Sequence, residues 1–247
     1  MLARVEPYGP STYGDHHADV YDESLPMSEA DTAAAVDALA ELALGGPVLE
    51  LGVGTGRIAV PLVARGLEVH GIEASGPMLE RLLARPGGER VAVTRGDLAD
   101  VGVDGPFALV YAVFNTFFEL WSEADQLRCL RNVAARLADG GRLVLELFVP
   151  EDVGRGSILA VDDVRPDRVT LVASRHDPDS GTTDSVEVWL TEEGIRLFPL
   201  RERALRPDEV DRLAERAGLR LDERWGGWRR EPFGPDSREH VSIYVRA

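Results

Sequence analysis

Gly52, Gly54 and Gly56 stand at alternate positions in Val48-Leu49-Glu50-Leu51-Gly52-Val53-Gly54-Thr55-Gly56-Arg57, directly after an apolar run and directly before a helical pattern. Glycine permits a tight turn and lets a ligand lie against bare backbone. At the carboxyl end of a first strand, that is the cradle by which doubly wound folds hold nucleotides. A dinucleotide fingerprint reads Gly-x-Gly-x-x-Gly, whereas here the third glycine comes one residue early and the acidic Glu50 precedes the first. The spacing points away from nicotinamide cofactors. Beyond the loop, Val69-His70-Gly71-Ile72-Glu73 ends a second apolar run in a carboxylate. A carboxylate accepts hydrogen bonds from both hydroxyls of a diol, so Glu73 suits a ribose and disfavours a 2′-phosphate.

On Glu50, Gly52, Gly54 and Gly56 the sequence resembles the class I S-adenosylmethionine (SAM)-dependent methyltransferases, whose first motif has the form Glu/Asp-x-Gly-x-Gly-x-Gly. The resemblance extends through most of the chain and lies in the order of its motifs. It implies SAM as cofactor. The three glycines, with Arg57 following, would then wrap the amino-acid part of SAM, and Glu50 would orient its ammonium directly or through water. In Arg95-Gly96-Asp97-Leu98 the resemblance assigns Asp97 to the adenine amino group and the Leu98 amide to the ring. Met78, in the helix after Glu73, would touch adenine or simply pack in the core. The strand Leu109-Val110-Tyr111-Ala112-Val113 runs into Phe114-Asn115-Thr116-Phe117-Phe118-Glu119, so Val113 and Asn115 would face the sulfonium. The DNA-base members carry an Asn/Asp-Pro-Pro-Tyr/Phe motif at this point. Asn115-Thr116-Phe117-Phe118 lacks both prolines, which weighs against a nucleobase acceptor. Phe114, Phe117 and Phe118 read equally as an aromatic wall near the sulfonium or as core.

In-line methyl transfer asks the protein mainly to align nucleophile, methyl and leaving sulfur. An amine acceptor needs only to arrive unprotonated, whereas a hydroxyl calls for a base. Asp15-His16-His17-Ala18-Asp19-Val20-Tyr21-Asp22 resembles the N-terminal segment of amino-sugar N,N-dimethyltransferases and other antibiotic-tailoring members, in which an arm tyrosine closes over SAM. That resemblance singles out Tyr21, then Tyr13. His17 and His176 are the candidate bases, each with a surface or turn role as the alternative reading. Trp225-Gly226-Gly227-Trp228-Arg229-Arg230 reads as an acceptor-pocket lining or as packing. No metal-ligand set stands out, so no metal is expected.

These residues require an α/β frame. Apolar runs at 47–51, 67–73, 90–94, 107–113 and 142–149 alternate with helical patterns near 57–65, 76–85 and 122–138, the last closed by Gly140-Gly141. With closing strands at 219–225 and 240–246, this predicts a Rossmann-like, seven-stranded, mostly parallel sheet with helices on both faces. Three runs at 168–176, 185–191 and 195–205 predict an antiparallel β insertion after the fifth strand. The expected organisation is one domain: an arm over 1–27, a SAM-binding core over 28–150, the insertion over 151–205, and a last helix with closing strands over 206–247.

The chain has 247 residues, 44% hydrophobic, and a formal net charge of −16. That charge repels phosphate backbones, so nucleic acid is not the expected partner. No apolar run is long enough for a membrane span, and the opening residues lack a secretion signal, so a cytoplasmic location is expected. A homodimer is left open. There is no lysine, which rules out the Tyr-x-x-x-Lys pair of a short-chain oxidoreductase. The function expected is SAM-dependent methyl transfer to a hydroxyl or amine of a small molecule, a secondary metabolite or sugar, with a non-catalytic SAM-binding protein or inactive methyltransferase-like subunit as the alternative.

Overall fold

The computed structural model describes residues 8–24, 28–151 and 156–247. Two short helices, α1 (Thr12–His17) and α2 (Tyr21–Ser24), form the arm, and α3 (Glu29–Ala43) leads into the sheet. Ser28 caps α3 by accepting the Asp31 N–H on its hydroxyl at 3.1 Å. The alternation then runs β1 (Val48–Leu51), α4 (Ala59–Ala64), β2 (Val69–Glu73), α5 (Gly76–Ala84), β3 (Ala92–Arg95), β4 (Phe107–Ala112), α6 (Glu123–Arg136) and β5 (Leu137–Phe148). After an insertion of β6 (Gly156–Val164), β7 (Arg168–Asp177), β8 (Thr182–Thr191) and β9 (Gly194–Glu202), the chain closes with α7 (Pro207–Arg216), β10 (Leu219–Trp225) and β11 (Glu239–Arg246).

The main sheet has the order β10-β11-β5-β4-β1-β2-β3. Only β11 runs against its neighbours; the pairs β3–β2, β2–β1, β1–β4 and β4–β5 are all parallel. Every residue of β1 is buried. One core packs α6 and α7 against Leu49, Leu51, Val110 and Leu145, and the other packs α3 and α4 against Val48, Leu109 and Val144. Burial on both faces is why these strands read as continuous apolar runs rather than as alternations. It also sets the carboxyl ends of β1, β2 and β4 side by side.

Two expectations are corrected. The insertion is a four-stranded sheet, β6-β7-β8-β9, not three strands. β6 is its edge, with Ile158, Leu159, Val161 and Val164 all exposed, so it has no buried face whose period a sequence could display. Nor do Gly140 and Gly141 close a helix. α6 ends at Arg136, and the two glycines sit within β5 where its register with β4 shifts, Gly140 at φ +74°. Among the described residues, no helix is long and apolar enough to cross a membrane.

Candidate active site

β1 ends in the glycine loop, and its backbone is fixed from β2. The amides of Gly52 and Val53 both donate to the Ile72 carbonyl, at 2.9 and 3.0 Å. The next amide, Gly54, donates at 3.0 Å to Oε2 of Glu73, whose Oε1 accepts the Ser75 N–H at 2.8 Å. Burial holds the Glu73 carboxyl above its ordinary range, with these backbone donors offsetting only part of the rise. Gly52 lies at φ +74°, and a Cβ there would stand 2.5 Å from Cγ2 of Thr116. The first glycine is therefore required twice over, by conformation and by the turn packed against it.

The arm lies across this loop. Asp22 accepts the Thr55 hydroxyl on Oδ1 at 2.8 Å and Arg85 on Oδ2 at 2.5 Å. Gly14 sits so close to the start of α5 that a Cβ would come 2.5 Å from Cβ of Ser75, whose hydroxyl donates to Asp15 at 2.7 Å. Arg81 donates to the Asp19 carbonyl, and Arg196 of β9 grips both Asp19 carboxylate oxygens at 2.8 and 2.7 Å. Val20, Trp189 and Phe198 make a small apolar cluster between arm and insertion.

Arm, loop and turn enclose a narrow cleft with a cavity volume of about 50 Å³. Tyr13, Tyr21, Gly52, Gly54, Glu73, Met78 and Leu98 line it together with Ile72, Thr116 and Glu119. The rings of Tyr13 and Tyr21 meet edge to face at 6.2 Å, and burial holds both phenols above their ordinary range. The bare backbone at Gly52 and Gly54, a carboxylate at the end of β2, and apolar Ile72, Met78 and Leu98 beside it match what an adenosyl group with an amino-acid tail requires.

Other expected site residues stand behind the cleft or away from it. Glu50 is buried beneath the loop and accepts the Tyr111 hydroxyl at 2.7 Å, so it does not reach a ligand directly; burial pushes its carboxyl up to about 8. Gly56 packs against Leu82. Arg57 turns to the Asp22 carbonyl and sits 5.7 Å from the Phe114 ring centre. Asp97 accepts the Ala99 N–H at 2.8 Å while its neighbours Gly96 and Leu98 line the cleft. Val113 is buried in the core, and Asn115, at φ +64°, accepts the Phe148 N–H on its side chain at 2.7 Å. Asn115 therefore faces a second cavity, which Phe114, Glu146, Phe148 and Trp228 also line. Phe117 and Phe118 are fully buried, which favours their core reading.

Neither histidine candidate is among the residues that line the cleft. His176 is placed at the β7–β8 hairpin, bonded to Thr183 at 3.1 Å, in a groove with Arg175, Asp184 and Arg201. His17 stacks on Tyr13 at 4.0 Å and bonds the Tyr13 carbonyl through Nδ1 at 2.8 Å. It supports the cleft from behind, and burial lowers its pKa. The sequence reading missed Glu119 and Thr116. Glu119 ends the short 3-10 turn Thr116–Glu119 and faces the cleft. Only its place in the segment after β4 hinted at this. Among the described residues, no group of His, Cys, Asp and Glu is arranged to hold a metal ion.

Residues 48–141 match a family model described as a methyltransferase domain. The chain resembles the solved CcbJ methyltransferase from Streptomyces caelestis at 40% identity and a TM-score of 0.89, covering 97% of this chain and all of that one. The cypemycin N-terminal methyltransferase of a Streptomyces species is 28% identical over 242 residues, 96% of this chain and 98% of the relative. A dTDP-4-amino-2,3,4,6-tetradeoxy-D-glucose N,N-dimethyltransferase from Saccharopolyspora spinosa is 28% identical over 223 residues, 86% and 88% of the two chains.

Proposed function

This chain belongs to the class I SAM-dependent methyltransferases acting on small molecules, and from that premise we propose that the cleft beneath Tyr21 holds SAM and that the acceptor presents an amine. The observation that carries the cofactor placement is Glu73, a carboxylate set at the end of β2 beside the Gly54 amide and lining the cleft. In this reading Glu73 receives the ribose hydroxyls, and Gly52 and Gly54 give the amino-acid tail bare backbone. Met78 and Leu98 flank the adenine, with Asp97 at its amino edge. Tyr13 and Tyr21 close the site from the arm. Glu50 acts through the loop, by holding Tyr111 beneath it.

The bound cofactor supplies an electrophilic methyl group on a sulfonium. The chain's part is to exclude water with the arm and to align the acceptor. The amine reading draws support from two relatives, one named for N-terminal and one for N,N-dimethyl transfer. It draws further support from the cleft's charge: Glu73 and Glu119 line it, and among the described residues no arginine does. A net charge of −16 supports a small neutral or cationic acceptor over nucleic acid.

The test is methyl transfer from SAM carrying a labelled methyl group to matched amine and hydroxyl acceptors, such as 4-amino and 4-hydroxy deoxysugars. Label in the amine members alone is expected. Label confined to the hydroxyl members would overturn the amine reading.

A further inference from the structure

Among the described residues that line the cleft, Glu119 is the one carboxylate whose purpose the cofactor does not explain. Glu73 spends both oxygens on the Gly54 and Ser75 amides. Among the described residues, Glu119 makes no hydrogen bond and no ion pair, though it is enclosed by protein and open to the cleft. Among the described residues, the titratable groups coupled to it are acidic or phenolic. Glu73 on β2 and Glu202 on β9 both bear on its charge, and it bears in turn on the phenols of Tyr13 and Tyr21. Glu202 is itself pushed up to about 7 by burial. An enclosed carboxylate without a cation is costly, and the cost is relieved when an opposite charge arrives. The two tyrosine rings suit the same kind of guest, since aromatic faces attract cations.

We infer that Glu119 receives the ammonium of a small-molecule amine acceptor and takes one proton from it, leaving the neutral amine for methyl transfer. This rests on the reading that the cleft holds SAM. The step balances: R–NH3+ and Glu119–COO− become R–NH2 and Glu119–COOH. The nitrogen lone pair then forms the N–CH3 bond as the C–S bond breaks and its electron pair leaves on sulfur. The proton on Glu119 passes to solvent when the product departs. Burial, with Glu73 and Glu202 adding to it, holds Glu119 up to about 8. That is close to the roughly 7.7–8.0 of an α-amino group, so proton transfer between the two is nearly balanced.

The test uses the full chain in two steps. Titration with S-adenosylhomocysteine comes first, and wild type and Glu119→Gln should bind it within about threefold of each other, which also reports that the variant is folded. Failure of the wild type to bind it would count against the cofactor reading, not against Glu119. The second step titrates the S-adenosylhomocysteine-loaded protein with methylammonium, followed by NMR, with methanol as the neutral probe. Saturable methylammonium binding is expected, weakened at least about tenfold by Glu119→Gln. On wild type alone, methylammonium affinity should rise from about pH 6 to about pH 9, because Glu119 loses its proton while an alkylammonium with a pKa near that of lysine keeps its own. Three results would overturn the inference: no saturable methylammonium binding to wild type, equal binding by Glu119→Gln, or a flat pH profile.

Discussion

Gly52 and Thr116 are in such close approach that a Cβ on the glycine would lie 2.5 Å from the threonine Cγ2. That contact joins the glycine loop to the turn that carries Glu119, so the two halves of the cleft share one packing constraint. Gly52→Ala adds a clash to the strain of φ +74°, each worth about 1–3 kcal/mol. We predict at least a tenfold loss of SAM affinity in calorimetry and a lower melting temperature. Thr116→Ser, which deletes the offending methyl, should restore part of both in the double variant; no restoration would show that backbone strain alone matters.

Asp22 ties the arm to the loop through Thr55 and to α5 through Arg85. Exposed pairs add only about 0–1 kcal/mol to global stability, so Asp22→Ala should barely move the melting temperature. Its effect should fall on closure, speeding S-adenosylhomocysteine release about threefold or more in stopped-flow measurements. An unchanged release rate would mean that the other ties of the arm, Asp15 to Ser75, Asp19 to Arg81 and Arg196, and the Val20, Trp189 and Phe198 cluster, hold it closed without Asp22.

Glu50 has its carboxyl raised by burial from 4.5 to about 8. A raised carboxyl means that the folded chain binds more protons than the unfolded one between those values, so this group's contribution to stability falls as pH rises through that window. Glu50→Gln, which still accepts the Tyr111 hydroxyl, removes the dependence. Its melting temperature relative to wild type should climb between about pH 5 and about pH 8.5; a constant difference would place the Glu50 titration elsewhere.

His176 faces the groove of Arg175, Asp184 and Arg201, not the cleft. His176→Ala should leave kcat and KM within about twofold of wild type, the small effect of a surface substitution. A kcat drop of a hundredfold would restore it as a base.

The alternation of strand and helix was legible because β1 and its neighbours are buried on both faces, and short apolar runs between helical periods announce that arrangement. The glycine loop and Glu73 were legible because backbone geometry and a strand-end carboxylate are local properties. Glu119 was not. Its meaning depends on the arm tyrosines about a hundred residues before it and on Glu202 from the insertion, partners that only tertiary packing supplies. The placement of His176 was illegible for the matching reason: a strand end is visible in sequence, but which end of the hairpin meets the core is not. Nor does sequence show that the Asn115 side chain accepts the Phe148 N–H, a bond that only the fold supplies.

The central claim is that Glu73 and the glycine loop hold the cofactor, and isothermal titration of wild type and Glu73→Ala with S-adenosylhomocysteine, SAM and NADH tests it most directly. Hydrogen bonds to a charged group are worth about 1.5–3 kcal/mol. Wild type should therefore bind both adenosyl ligands one to one, Glu73→Ala at least about tenfold more weakly, and neither should bind NADH. Undiminished binding by Glu73→Ala, or binding of NADH in preference to the adenosyl ligands, would contradict the account.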